Sequence, residues 1–181
     1  MDHPAKKYNL KVILVEGPDC SGKSTVVERL KNMLHWDSKA LQHQEGNQFQ
    51  RYLREYAHAD KVIFDRGHFS EEVYSLLWRK GSPFSVQEKD ILAALCQQMM
   101  LIIFVCPPVE IMKRRYRQRL FQQQIKFGEL EPSRILFCEV MRTIPHIVYT
   151  SQNYEELDLL LNRIKEVMPN KTLCPASGTS L

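Results

Sequence analysis

Val12-Ile-Leu-Val-Glu-Gly-Pro-Asp-Cys-Ser-Gly-Lys-Ser-Thr25 is the stretch on which the fold of this chain turns. Four apolar residues run into Glu16. Gly17, Gly22, Lys23 and Ser24 then fit G-x-x-x-x-G-K-[ST], and Val26-Val-Glu-Arg-Leu30 continues with helical spacing. A loop of this kind between a buried strand and a helix N-terminus is a phosphate-binding loop in its required setting. Gly17 and Gly22 let the backbone turn tightly and approach oxygens with no Cβ in the way. The freed N–H groups and the positive end of the next helix face the phosphates. Lys23 supplies a mobile cation for the outer phosphates, and Ser24 offers a hydroxyl to Mg²⁺. The competing reading, a glycine-rich turn with no ligand, leaves both the strand before and the helix after unexplained.

Working outward, the chain alternates strands and helices. The first strand is expected over Lys11 to Glu16, buried on both faces, and the first helix over Ser24 to His35. Trp36 to Lys39 reads as a break, with a short second strand over Ala40 to Gln44. Asn47 caps a helix through Phe49, Tyr52, Leu53 and Tyr56. A third strand, Lys61 to Phe64, ends in Asp65, and a helix begins at Ser70 and closes at Gly81. Ser85 with Glu88 forms a capping box for a helix burying Ile91, Leu92, Leu95 and Met99. Leu101 to Val105 is a fourth strand, stopped by Pro107 and Pro108. A basic helix from Val109 to about Gln124 follows, then a helix from Ser133 to Thr143. A last strand runs from His146 to Tyr149, and a last helix from Tyr154 to Met168 carries the stripe Leu157, Leu160, Leu161 and Ile164. This alternation predicts an α/β fold, a parallel sheet with helices on both faces. Residues 1–170 are expected to form one such domain and 171–181 a flexible tail.

The 181 residues are 44% apolar and 25% charged, ordinary globular composition. A net charge of +4 falls short of a dedicated nucleic-acid binder and suits a phosphate-handling enzyme equally well. The five cysteines are odd in number and form no C-x-x-C pair, which reads as free thiols in a reducing compartment. With no apolar N-terminal core and no long apolar run, the expectation is a cytoplasmic protein without membrane contact.

Two further stretches carry chemistry. In Phe64-Asp65-Arg66-Gly67-His68-Phe69-Ser70-Glu71 an apolar run ends in an acid, the usual counterpart of a phosphate loop. The Asp65 carboxylate there can reach Mg²⁺ directly or through water. A surface Asp-Arg ion pair is the alternative. His68 reads as a histidine satisfied by a neighbour. Glu16, a carboxylate at a buried strand end, needs a partner. It either bonds Arg66 or accepts a proton from a hydroxyl acceptor. Lys113-Arg114-Arg115-Tyr116-Arg117-Gln118-Arg119 puts five cations in seven positions, and Met112, Tyr116 and Leu120 recur every four residues as one packed stripe.

The phosphate loop, Glu16-Gly17-Pro18-Asp19-Cys20-Ser21-Gly22-Lys23-Ser24-Thr25, resembles the E-G-x-D-x-x-G-K-[ST]-T signature of thymidylate kinases and their deoxynucleoside-kinase relatives. The Asp65-Arg66 pair is similar to their D-R-x-x-x-S and E-R-S elements. The resemblance implies a P-loop NTPase fold of three layers with strand order 2-3-1-4-5, and ligands at the carboxyl ends of the strands. It implies ATP and Mg²⁺ as cofactors, a nucleoside or nucleotide as acceptor, and a dimer. By resemblance Gly17 to Thr25 hold the donor, Asp19 faces the acceptor's sugar, and Arg66 reaches the reacting phosphates or the acceptor. The basic helix corresponds to the lid, with Arg114 as the first lid arginine and Arg117 or Arg119 as the second. Cys20 stands where some relatives carry a cation, so that duty would fall to the lid. The alternative for Asp19 is a turn residue bonding its own backbone, and for the lid a solvated basic face.

Two departures weaken thymidine monophosphate as the acceptor. The R-x-P-G segment after the second strand is absent, the chain reading Gln44-Glu-Gly-Asn-Gln48, and the lid lacks a D-R-x-E ending. ATP-dependent phosphoryl transfer to a nucleoside or nucleotide remains the leading expectation. A kinase acting on a modified nucleotide or on a base in a polynucleotide, and a nucleotide-binding module without catalysis, are the alternatives. Gln97 and Gln98 are candidates for base contact or plain surface residues.

Overall fold

The computed structural model describes residues 11–119, 125–152 and 154–167. The expected tail and the far end of the basic helix, 120–124, lie outside the described residues. β1 (Val12–Glu16) is buried at every position, because it lies between two parallel neighbours. β3 (Val62–Asp65) pairs with it from Val12↔Val62, and β4 (Met100–Val105) from Val12↔Met100. β2 (Asp37–Ala40) and β5 (Ile147–Tyr149) form the edges, giving the order β2-β3-β1-β4-β5. This is the expected order, and it aligns the strands' carboxyl ends along one rim.

Alternate residues of each strand point to opposite faces. Ile13, Val15, Ile63, Ile103 and Val105 face one helical layer, where Val26, Val27 and Leu30 of α1 (Lys23–Leu34) and Leu157, Leu160 and Ile164 of α7 (Tyr154–Val167) are buried. Leu14, Phe64, Ile102 and Phe104 face the other. There they meet Tyr52 and Tyr56 of α2 (Gln48–Ala57), Leu92 and Cys96 of α4 (Val86–Met99), Met112 of α5 (Val109–Gln118), and Phe137 and Met141 of α6 (Leu130–Met141). Both sheet faces are thus covered, which is why the central strands read as unbroken apolar runs.

The differences from expectation have physical causes. β2 lies at Asp37–Ala40, over the expected break, rather than at Ala40 to Gln44. All four of its residues are exposed, so backbone pairing to β3 and the Lys39–Glu55 ion pair at 2.6 Å hold it and no apolar pattern marks it. α3 (His68–Tyr74) begins two residues before Ser70 and runs into a π-helical turn, Ser75–Arg79, closed by Lys80 at φ 58 just before Gly81. The Ser85 capping box stands: Ser85 N–H donates to Glu88 Oε2 at 2.8 Å and Glu88 N–H to Ser85 Oγ at 3.3 Å. Asn47 caps α2 through Gln50 N–H at 2.9 Å. Ile91, expected on the buried side of α4, is half exposed, and Cys96 takes the buried place. α6 starts at Leu130, after a 3-10 turn over Phe127–Glu129, and not at Ser133. Within the described residues the basic helix stops at Gln118. Cys20, Cys96, Cys106 and Cys138 are not in disulfides, and the Cys106 and Cys138 sulfurs lie 3.6 Å apart. No described helix is long and apolar enough to cross a membrane.

Ile103 lies in β4 with no exposed surface and packs in the α1/α7 layer. Its truncation, Ile103→Ala, is expected to lower unfolding free energy by about 2–5 kcal/mol. Urea denaturation checks this, and a loss under ~1 kcal/mol would show that the layer collapses around the gap.

Candidate active site at the strand carboxyl ends

The loop after β1 follows the sequence reading closely. Gly17 sits at φ +144, and a Cβ there would lie 2.2 Å from the Val105 carbonyl oxygen at the end of β4. Only glycine allows that approach. Gly22, at φ +100, is the N-cap of α1 and brings no side-chain acceptor to the helix's first N–H groups. Lys23 is buried and folds back over the loop, donating to the Gly17 and Pro18 carbonyl oxygens at 2.7 Å each. Burial, then the nearby Arg66 charge, pulls its pKa down to about 7 against the opposite pull of Asp19, Asp65 and Glu16. Ser24 and Thr25 are exposed at the helix start. Ser21 and Cys20 are buried, and burial pushes the Cys20 thiol up, so it stays neutral.

Glu16 has no exposed surface. Its carboxylate accepts from Gly67 N–H at 2.8 Å, from Ser70 N–H at 3.3 Å, and from the Ser70 hydroxyl. This settles its partner: it braces the start of α3 instead of bonding Arg66. Burial raises its pKa, with the Ser70 hydrogen bonds opposing. The same contacts explain the early start of α3, since a carboxylate from another strand caps it.

Arg66, at φ 71, turns its guanidinium to the Asp19 carboxylate and over the Tyr74 ring, 5.2 Å from the ring centroid. Tyr74 completes the cluster, its hydroxyl donating to Asp19 Oδ2 at 3.1 Å. Burial alone would raise the Asp19 pKa, but the Arg66 and Lys23 charges outweigh it and hold the carboxyl below its ordinary value. Asp19 is therefore no self-bonding turn residue. Asp65 Oδ1 is buried and has no hydrogen-bond partner among the described residues, and with the Ser24 hydroxyl it offers the hard oxygen ligands that suit Mg²⁺. His68 Nδ1 meets the Tyr56 hydroxyl at 3.1 Å, and burial takes its pKa down to about 3, which leaves it a neutral core histidine.

Two cavities flank the loop. One, of about 410 Å³, is lined on its polar side by Asp19, Arg66, Glu71, Arg79 and His43, and by the aromatic face of Trp78, which stacks on Tyr74 at 4.8 Å. The other, of about 480 Å³, lies between Gly22 and Thr25, Arg114 and Arg115 of α5 with Arg119 just past it, and the end of β5 with Ser151 and Gln152. The sequence pointed to Arg114, Arg117 and Arg119. All three are exposed, and Arg117 lies over the Phe127 ring at 5.1 Å. Arg115, which the sequence reading passed over, reaches the loop. It donates to the Ser21 carbonyl, and to Ser151 O and Oγ at 2.7 and 2.8 Å. Its signal was its place three residues after the buried Met112. Gln97 and Gln98 are exposed on α4 and line neither of these cavities.

No protein-family model matches the chain. It is 24% identical over 137 residues, 73% of its length, to 82% of the SPbeta prophage-derived protein YorR of Bacillus subtilis (strain 168). The crystal structure of YorR from Bacillus subtilis in complex with phosphorylated GDP superposes with a TM-score of 0.74 at 21% identity, covering 86% of this chain and 94% of that one. The chain has a P-loop kinase-like fold. Deoxyadenosine kinase from M. mycoides, with products dCMP and dCDP bound, shares it at TM-score 0.60 and 13% identity, covering 86% and 99%. Shikimate kinase from Acinetobacter baumannii does so at 0.57 and 17%, covering 91% and 96%.

The depressed Lys23 pKa has a stability signature. Folded Lys23 loses its proton near pH 7 and unfolded Lys23 near 10.5. Between those values the unfolded chain binds more protons, so stability rises with pH. Referred to Lys23→Met, the wild type is expected to gain at least ~1 kcal/mol of unfolding free energy from pH 7 to 10, with no change below pH 6. Parallel pH profiles of chemical denaturation check this, and coincident profiles would place Lys23 in a solvated setting.

Proposed function

We propose that this chain is a Mg²⁺-assisted kinase that transfers a phosphoryl group from ATP to a nucleoside or nucleoside monophosphate, in the manner of thymidylate and deoxynucleoside kinases. The observation that carries this reading is the placement of the phosphate loop between two cavities, with Lys23 in the loop and Arg66 at the edge of the second. A donor in the cavity under α5 would lay its phosphates along the Gly17–Thr25 backbone. Lys23 would leave its two loop carbonyls for the outer phosphates, whose charge restores its full protonation. Ser24 and Asp65 would hold Mg²⁺, which neutralises charge on the phosphate oxygens. Asp19, Arg66 and Tyr74 would position the acceptor at the mouth of the other cavity. YorR and deoxyadenosine kinase, bound to nucleotides in their crystals, support a nucleotide ligand here.

Phosphoryl transfer is mostly positioning and charge stabilisation. Cys20 is neutral, so the cation arriving at the transferring group would come from Arg114 or Arg119, which line the donor cavity, or from Arg117 on the same basic stretch. A nucleotide-binding module without catalysis would need Lys23 and Ser24 but not the Asp19–Arg66–Tyr74 cluster.

ADP release from ATP, screened against nucleosides and nucleotides, tests the reading. Lys23→Ala is expected to lower turnover by orders of magnitude in a folded protein, and a variant that keeps full turnover would remove this loop as the donor site. Among the single alanine variants of Arg114, Arg117 and Arg119, at least one is expected to lose roughly 10³-fold in turnover with ATP affinity little changed. If all three stay within about threefold, the helix is a solvated basic face.

A further inference from the structure

We propose that Glu71 makes the acceptor cavity electrically neutral and thereby fixes its ligand as an uncharged nucleoside rather than a nucleoside monophosphate. This rests on the function proposed above and narrows it. The cations that line the cavity are each already held by a carboxylate. Arg66 pairs with Asp19, and Arg79 pairs with Glu71. His43 Nδ1 lies 2.8 Å from the same Glu71 oxygen. Glu71 is 4% exposed, on the first turns of α3. From there it ties the loop after β2, through His43, to the π-helical turn, through Arg79. Ser75 backs the arrangement by accepting from Arg79 Nε at 3.1 Å. The lining sets two arginines against two carboxylates, which cancel in formal charge.

A phosphate dianion entering such a cavity loses its hydration without gaining an unspent cation, which is costly. Two carboxylates in the lining repel it besides. An uncharged nucleoside meets no such penalty. The Trp78 ring, 39% exposed and stacked on Tyr74, offers it a flat apolar surface. Arg79, His43 and Gln42 offer polar groups for the edge of a base. Lys23 does not line this cavity, and its ammonium is spent on Gly17 and Pro18 within the loop. In the reaction, the nucleoside hydroxyl oxygen forms the new bond to the γ-phosphorus of ATP as the bond to the leaving ADP oxygen breaks. The hydroxyl proton passes to the Asp19 carboxylate. That group is held ionised and keeps lone pairs beyond those facing Arg66 and Tyr74.

The test is calorimetric titration of the ADP-bound protein, at fixed salt, with thymidine, deoxyadenosine, deoxyguanosine, deoxycytidine and their 5′-monophosphates. The tightest nucleoside is expected to bind at least about tenfold more tightly than its own monophosphate. Glu71→Gln uncovers Arg79 and His43, so the monophosphate-to-nucleoside affinity ratio should rise at least about fivefold. Arg79→Gln removes a cation, so the ratio should fall while folding is kept, and it answers the question if Glu71→Gln proves unstable. A wild type that prefers the monophosphate overturns the proposal, as does a ratio that neither variant moves. Failure of ADP itself to bind would instead sink the kinase reading, which separates the two.

Discussion

A carboxylate with no solvent contact fixes the geometry on which this site depends. Glu16 closes the central strand, and an unpaired charge there would cost several kcal/mol. It is satisfied by two backbone N–H groups and a hydroxyl, all from the segment that follows β3. Those bonds pin Gly67 and Ser70 against the end of β1. A Cβ at Gly67 would stand 2.5 Å from the Tyr56 hydroxyl and 3.1 Å from Glu16 Oε1, so the pinned segment tolerates no side chain there. The residue before it, Arg66, is held at positive φ, where non-glycine residues are strained. Its N–H bond to the Val15 carbonyl at 3.0 Å helps offset that cost. The outcome is a guanidinium aimed at Asp19 across the phosphate loop. The loop and Arg66, whose contact with Asp19 spans 47 positions, are thus one rigid unit built on a single buried acid.

The parts of this architecture that were legible in the sequence are those where local chemistry and burial agree. The glycines of the loop need positive φ, and the central strands are buried on both faces, so both leave strong marks. The capping box at Ser85 and the Asn47 cap are local side-chain bonds and were equally readable. β2 left no mark because an exposed edge strand buries no side chain that could set an apolar pattern. The start of α3 was misplaced because its cap is supplied by Glu16, more than fifty positions away, where a local pattern has nothing to read. The cavity beside Arg66 was only half visible for the same reason. Asp19 and Arg66 sit in recognisable motifs, whereas Tyr74, Glu71, Arg79 and His43 converge only through the fold.

The basic helix shows how phase decides what a charge does. Arg114 and Arg115 are neighbours in sequence and look interchangeable. The buried Met112 sets the helix's inner side, and one 3-residue step from it brings Arg115 inward while Arg114 stays exposed. Burial lowers the Arg115 pKa, and its N–H groups face carbonyl oxygens of the loop and of Ser151. A guanidinium engaged in that way positions backbone. It ties together the loop after β1, α5 and the segment after β5, which wall the cavity of about 480 Å³.

The arginines therefore divide into two kinds, and the division follows from what each one faces. Arg66, Arg79 and Arg115 are committed, to Asp19, to Glu71 and to backbone carbonyls. The charges of Arg66 and Arg79 are already compensated by carboxylates in the folded chain, and Arg115 is committed to fixing backbone positions. Lys23 is different in kind. It is buried beside Arg66 with only carbonyl dipoles on its ammonium, and the fold holds it at a pKa of about 7. Such a group is stabilised by an arriving polyanion far more than an exposed lysine would be, because the anion supplies compensation that the protein withholds. The strain of keeping Lys23 charged in the folded chain would, under the proposed function, favour phosphate at the loop.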